Sequence, residues 1–314
     1  MPLLEVNVSG AHARIDPSVL AHALAALPKG APVVICIHGF KFSPHAPETS
    51  PHLHILSLDP RPDCWKAMSW PRALGFGRGR AEEGLCIALG WDARGTIWQA
   101  WKRAPQVSRA LARLIAQIDR PVHVVGHSLG ARVALGALPL VRRGTVARII
   151  LLAAAEFRST AQAAMDSPAG TSVEVFNITS RENDLFDVML EKLVRAPVRG
   201  DRALGAGLGT GRGASAPPPL PRWLDIQIDA PATLAALGYL GFTVAGPERR
   251  ICHWSAYLRG GMFSVYTALI RTPERLPLGL LRELLPQEAT PRWSRLIGPW
   301  PARLPLPFGR KATS

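Results

Sequence analysis

"VHVVGHSLGARVALGAL", residues 122–138, carries Gly126-His127-Ser128-Leu129-Gly130 between an apolar β-branched run and an alanine-rich run. The first run reads as a strand buried on both faces and the second as a helix. A G-x-S-x-G pattern at a strand-to-helix junction describes a sharp turn. It holds the serine in strained backbone angles and projects the hydroxyl above the sheet. Glycines two residues either side, Gly126 and Gly130, remove the Cβ atoms that would clash where strand and helix close up. In a chain with 28 glycines the bare pattern is weak, and the flanking elements give it meaning. Ser128 is therefore expected as a nucleophile. The Leu129 N–H, at the helix start, is expected to point toward a developing oxyanion.

Outward from this stretch, strands and helices alternate. Strand-like runs lie at 3–8, 32–40, 84–92, 121–126, 146–155, 172–179 and 224–229, with helical patterns at 17–27, 97–118 and 129–138. In the 97–118 pattern, Pro105 is expected to kink the helix or mark its true start. The β-α-β rhythm argues for an α/β class with a doubly wound, mostly parallel sheet, whose active site lies beyond the carboxyl ends of the strands. Residues 1–270 read as a single domain. Within it, 41–83 form an insertion after the first buried strand, placed where a lid or pocket wall would sit, although a solvated loop fits equally well. Residues 196–221 are low-complexity and Gly/Pro-rich, and 271–314 form a Pro-rich extension.

Composition narrows the classes. With 314 residues, 47% hydrophobic and 19% charged, the chain reads as globular. The formal charge of +14 comes mostly from scattered arginines, without the clustered basic stripe of a nucleic-acid binder. Attraction of anionic substrates or of an anionic membrane surface stays open. Four cysteines without a CxxC pair suggest reduced thiols and a cytoplasmic setting, and no signal-peptide pattern opens the sequence. The uncharged stretch 230–247 is rich in glycine and proline, so a buried helix and loop is expected there rather than a membrane span. His45, His52, His54 and Cys64 match no zinc spacing, and "GFGRGR" (75–80) lacks the ending of a phosphate loop. Neither a metal nor a cofactor is expected.

Through "ICIHGF" at 35–40, "GHSLG" at 126–130 and a later acid and histidine, the chain resembles the α/β-hydrolase superfamily. The nearest likeness is to bacterial esterase/lipase-like serine hydrolases. The resemblance covers about residues 30–260. It implies an α/β-hydrolase fold and a cofactor-free cleavage of a small-molecule acyl ester through an acyl-enzyme. It names no substrate and no oligomeric state. The order nucleophile, acid, histidine implied by the fold leaves one base, because His253 alone of nine histidines follows Ser128. For the orienting acid the loop after the strand at 172–179 is the usual place. Asp184 is the first candidate, Glu156 the alternative, and Asp187 and Glu182 stay open. After His38-Gly39, the Phe40 backbone N–H is the implied second oxyanion donor, with His38 and His127 in structural roles. A non-catalytic scaffold of the same fold, binding a ligand, a partner or an anionic membrane, remains the alternative function.

Overall fold

The computed structural model describes residues 2–208, 220–286 and 288–297. Eight strands form one sheet: β1 (Leu3–Ser9), β2 (His12–Arg14), β3 (Val33–Ile37), β4 (Leu85–Gly90), β5 (Val122–His127), β6 (Val146–Leu152), β7 (Glu174–Thr179) and β8 (Trp223–Gln227). Their order is β2-β1-β4-β3-β5-β6-β7-β8. The β1–β2 hairpin pairs antiparallel and every other pairing is parallel. All residues of β3 and β4 are buried, as expected for central strands covered on both faces. The short β2 has no apolar run and escapes a reading based on hydrophobic pattern.

Two apolar clusters cover the two faces. One gathers Val33, Ile35 and Ile37 with Leu111, Leu114 and Leu135 from helices Ile97–Ile115 and Leu129–Ala137. The other gathers Val34, Cys36 and Ile150 with Trp70, Phe263 and Leu269. The alternation of β3 side chains between the clusters follows the two-residue period of a strand. Helix Ile97–Ile115 starts before Pro105, because Thr96 and Gln99 form a capping box at its true start. Burial of Ala104, Val107 and Leu111 offsets the roughly 3 kcal/mol that an internal proline costs.

Residues 41–83 are anchored in part: Ile55, Leu56, Trp70 and Phe76 are fully buried as members of the second cluster, while most of the segment is exposed or half-buried. Residues 231–239 do form a helix, but only Thr233 and Leu237 are fully buried, so it is a surface helix that rests on the second cluster through Leu237 and Ala236 rather than a buried one. Of the Gly/Pro-rich 196–221, residues 209–219 lie outside the described residues, as does the extension beyond 297. The extension up to 297 packs Leu276, Leu281 and Leu285 into the second cluster. No helix among the described residues is long and apolar enough to cross a membrane.

Strand order fixes where the site can be. From β3 the chain moves to β4 on one side, then crosses to β5 on the other, so β3 and β5 are neighbours whose following loops diverge. Their register pairs Ile37 with Gly126, which ends both strands at the same level. Helix Leu129–Ala137 then approaches so closely that a Cβ on Gly130 would lie 2.3 Å from the Ile37 carbonyl oxygen. Glycine to alanine inside a helix ordinarily gains about 1 kcal/mol. Here the backbone overlap should reverse the sign, and Gly130→Ala is expected to lose about 1–3 kcal/mol in urea unfolding.

Candidate active site

The turn after β5 has the geometry that its sequence requires. Ser128 sits at φ 55°, ψ −118°, a conformation L-residues avoid at a cost of about 1–3 kcal/mol. Three backbone hydrogen bonds hold it there. Its N–H donates to Leu152 O at 3.0 Å, and its carbonyl accepts from Ala131 at 3.0 Å and Ala155 at 3.1 Å. Two of these partners come from β6 and the turn after it, so the neighbouring strand clamps the serine. Side-chain crowding is just as tight: a Cβ on Gly39 would lie 2.7 Å from Ser128 Cβ and 3.3 Å from its Oγ. Glycine at 39 is what lets the two loops meet.

The loop after β3 is pinned by His38. Trp91 N–H donates to His38 Nε2 at 3.0 Å, so the proton of this ring is on Nδ1, which donates to Gly39 O at 2.9 Å. The Trp91 indole N–H donates to His38 O at 3.2 Å and its ring stacks on the imidazole. Full burial lowers the His38 pKa to about 3, so it stays neutral at working pH. Its role here is structural. It ties the Gly39 carbonyl back, at the loop where Phe40 presents its backbone. Leu129 N–H begins the elbow helix, where the first amides have no intrahelical acceptor.

His253 arrives on a loop that docks backbone to backbone. Cys252 N–H donates to Glu182 O at 2.8 Å, which sets residue 253 beside residue 183. The Glu182 side chain is engaged elsewhere, by Arg259 and by Ser180 Oγ at 3.1 Å. His127 Nε2–H donates to the His253 carbonyl at 3.1 Å, joining the residue before Ser128 to His253. Burial lowers the His127 pKa to about 4. The His253 imidazole lies against Phe186, with centroids 4.7 Å apart. Burial, then nearby His127 and Lys66, hold the His253 pKa well below its ordinary value. The resting ring is therefore neutral, as a base must be.

The orienting position differs from expectation. The sequence points to Asp184, yet His253 Nδ1 meets Asn183 Oδ1 at 2.6 Å. Residues 181–183 form a single helical turn and Asp184 begins helix Asp184–Leu193, so successive side chains rotate apart. Asp184 is carried away from the histidine to Arg181, 3.1 Å, and to Trp293 N–H, 2.7 Å. The alternative, Glu156, is fully buried, pairs with Arg132 and accepts from Phe157 N–H at 2.7 Å. Neither carboxylate is spare. The expectation of a carboxylate at this position passes over Asn183. Its amide Nδ2 donates to Asp187 Oδ1 at 2.9 Å, an i, i+4 pair visible in the sequence as N-x-x-x-D.

No protein-family model and no curated protein sequence matches the chain. Among solved structures it is similar to a lipase, BlEst2, from Bacillus licheniformis, at 13% identity and TM-score 0.40, over 77% of this chain and 93% of that one. It is also similar to carboxylesterase CesB from Bacillus subtilis, at 13% identity and TM-score 0.27, over 50% and 68% of the two chains. A lipase-esterase related protein from Clostridium acetobutylicum matches at 10% identity and TM-score 0.26, over 49% and 76%.

The geometry separates the side chains that could orient the base. Asn183→Ala should slow Ser128 labelling by a fluorophosphonate about 10²-fold, because nothing then fixes the His253 tautomer. Asp184→Asn and Glu156→Gln, measured side by side, should each stay within about threefold of wild type.

Proposed function

We propose that the protein is a serine hydrolase of the α/β-hydrolase type, cleaving a carboxylic ester or related acyl bond through an acyl-enzyme. The observation that carries this reading is the strained, non-glycine Ser128 at the carboxyl end of β5. A positive φ on a serine is kept only where the surroundings enforce it, and such strain clusters at reacting groups. The neutral His253, with Nδ1 turned to Asn183, supports the reading further.

In this reading His253 Nδ1 carries the proton that Asn183 Oδ1 accepts, which leaves the Nε2 lone pair to take the proton from Ser128 Oγ. The Oγ attacks the acyl carbon, and the carbonyl electron pair moves to oxygen. Leu129 N–H and Phe40 N–H stabilise that oxyanion. The imidazolium then gives its proton to the departing alcohol, and an ester to Ser128 remains. Water, activated by the same ring, attacks this ester and releases the acid with regeneration of Oγ–H. The chemistry requires no cofactor. An amide as third member has a precedent in the Cys-His-Asn sites of papain-like proteases.

Lys66 lies 3.5 Å from the Trp254 ring centroid, on the residue following the base, and contributes to holding His253 neutral. A panel of p-nitrophenyl esters of graded chain length, neutral and anionic, would define the acyl preference. Fluorophosphonate labelling should occur and should disappear in Ser128→Ala, with ester turnover reduced about 10⁴- to 10⁶-fold and folding retained. Labelling that persists in Ser128→Ala would overturn the assignment, and no labelling of the native protein would favour a binding scaffold.

A further inference from the structure

Behind Asn183 lies an acid that touches neither serine nor histidine. Asp187 is 2% exposed, one helical turn beyond Asn183, and its Oδ1 accepts the Asn183 amide N–H at 2.9 Å. Its other oxygen, Oδ2, is buried without a hydrogen-bond partner among the described residues. We propose that Asp187 is a positioning residue acting through Asn183: its carboxylate fixes which way the amide faces, and the amide fixes which nitrogen of His253 holds the proton. This rests on the reading of Ser128 and His253 given above.

Hydrogen-bond donors and acceptors set which way the amide faces. A primary amide has one accepting end and one donating end. An ionised carboxylate only accepts, so it must be faced by the Asn183 NH₂. The amide oxygen is then the end presented to His253, and it accepts only from a protonated Nδ1. Nε2 is left as the free base. Protonated Asp187 can donate as well as accept, so the constraint on the amide disappears. If the amide turns over, its NH₂ faces the ring and favours a proton on Nε2, which disables the base.

The groups facing Asp187 allow this switch to work near neutrality. Arg292, from the extension, and Arg181, from the turn after β7, favour its charge. Asp184 and Glu191, on its own helix, oppose it. Gly205 closes the remaining side, where even a Cβ would overlap Oδ2. Burial is the largest influence and raises the Asp187 pKa from 3.8 to about 7. The sign for stability follows. Because the folded value is above the unfolded one, ionisation of Asp187 costs stability progressively from about pH 4 to 7, and fully above that. The site thus holds an anion that the fold would be more stable without.

The test uses the full chain and the rate of labelling by a fluorophosphonate–rhodamine probe from pH 5 to 9, with Tm measured at pH 5 and 8. The wild-type rate should rise through a limb near pH 7, above any limb from His253, whose pKa is held well below the ordinary histidine value. In Asp187→Asn that limb should vanish and the rate at pH 8 should fall about 10- to 100-fold. Meanwhile Tm should rise at pH 8 and rise by less than half as much at pH 5, where only the first part of the ionisation cost is present. Slower labelling with a higher Tm is not what a merely structural role gives. Should that variant not fold, the exchange Asn183→Asp with Asp187→Asn returns the acid directly to the histidine, and it should label at pH 8 at least as fast as wild type. The proposal is overturned by a wild-type profile flat through pH 7. It is equally overturned by folded Asp187→Asn that keeps the limb and a rate within twofold, or by a folded exchange variant more than 10-fold slower. Ser128→Ala separates the two levels: if it still labels, the active-site reading itself fails.

Discussion

The close approach of two backbones governs this molecule. Where β3 and β5 end at the same level, Gly39, Ser128 and Gly130 share a space in which no additional Cβ fits. That crowding is why the elbow can turn within five residues, and why its serine sits at φ 55°. The strain is offset locally by hydrogen bonds to β6 and its following turn, so Ser128 is fixed by sheet packing rather than by its own loop. Rigid support of this kind is what positions a reacting group to within a fraction of an ångström. His38 extends the same logic to the loop after β3, with both ring nitrogens occupied by backbone groups and its charge suppressed by burial.

The sequence made the elbow legible because each requirement there is a residue type at a fixed offset: glycine, serine, glycine, after a β-branched run. The buried strands were legible for the same reason, being continuous apolar runs. His253 could be found by elimination. The residue that meets His253 was not legible, because the sequence shows five polar residues, Arg181 to Asp184 and Asp187, without showing which one faces inward. That choice depends on the phase of a single helical turn and on one backbone bond, Cys252 to Glu182, between segments 70 residues apart. Shifting the phase by one residue exchanges Asn183 for Asp184. The helix at 231–239 differs for a related reason: composition says apolar, but only Thr233 and Leu237 are fully buried, with Ala236 partly covered by the second cluster.

The positive charge takes on a different meaning once the arginines are located. Arg148 is buried, pairs with Glu174 and donates to the Leu269 carbonyl. Arg271 donates to the carbonyls of Leu74 at 2.7 Å and Glu83 at 2.8 Å, fastening the end of the insertion to helix Met262–Arg271. Arg292 holds Glu191 with two nitrogens at 2.8 Å each, and Arg259 holds Glu182. The guanidinium group is suited to this, because its planar fork can satisfy several loop carbonyls or a carboxylate at once. These arginines serve as internal fastening, and the net +14 already subtracts the carboxylates that three of them hold, so it is carried by the other basic groups.

The polar cluster beside the histidine shows what such fastening costs and provides. Arg181, Asp184 and Asp187 are almost fully buried, and the buried oxygens Asp184 Oδ1 and Asp187 Oδ2 make no hydrogen bond among the described residues. A well-packed apolar substitute for buried charges is often as stable or more so. Stability alone therefore gives no reason for this arrangement. Position does. A carboxylate in direct contact with an imidazolium would attract it by about 4 kcal/mol at an effective dielectric of 20, and the attraction falls with distance. With Asn183 interposed, part of that attraction is given up in exchange for a defined hydrogen-bond direction. For a ring already kept neutral by burial, the tautomer rather than the charge is the property that most needs fixing. In the proposed site, an amide held from behind by an anion would fix it without placing a permanent negative charge against His253.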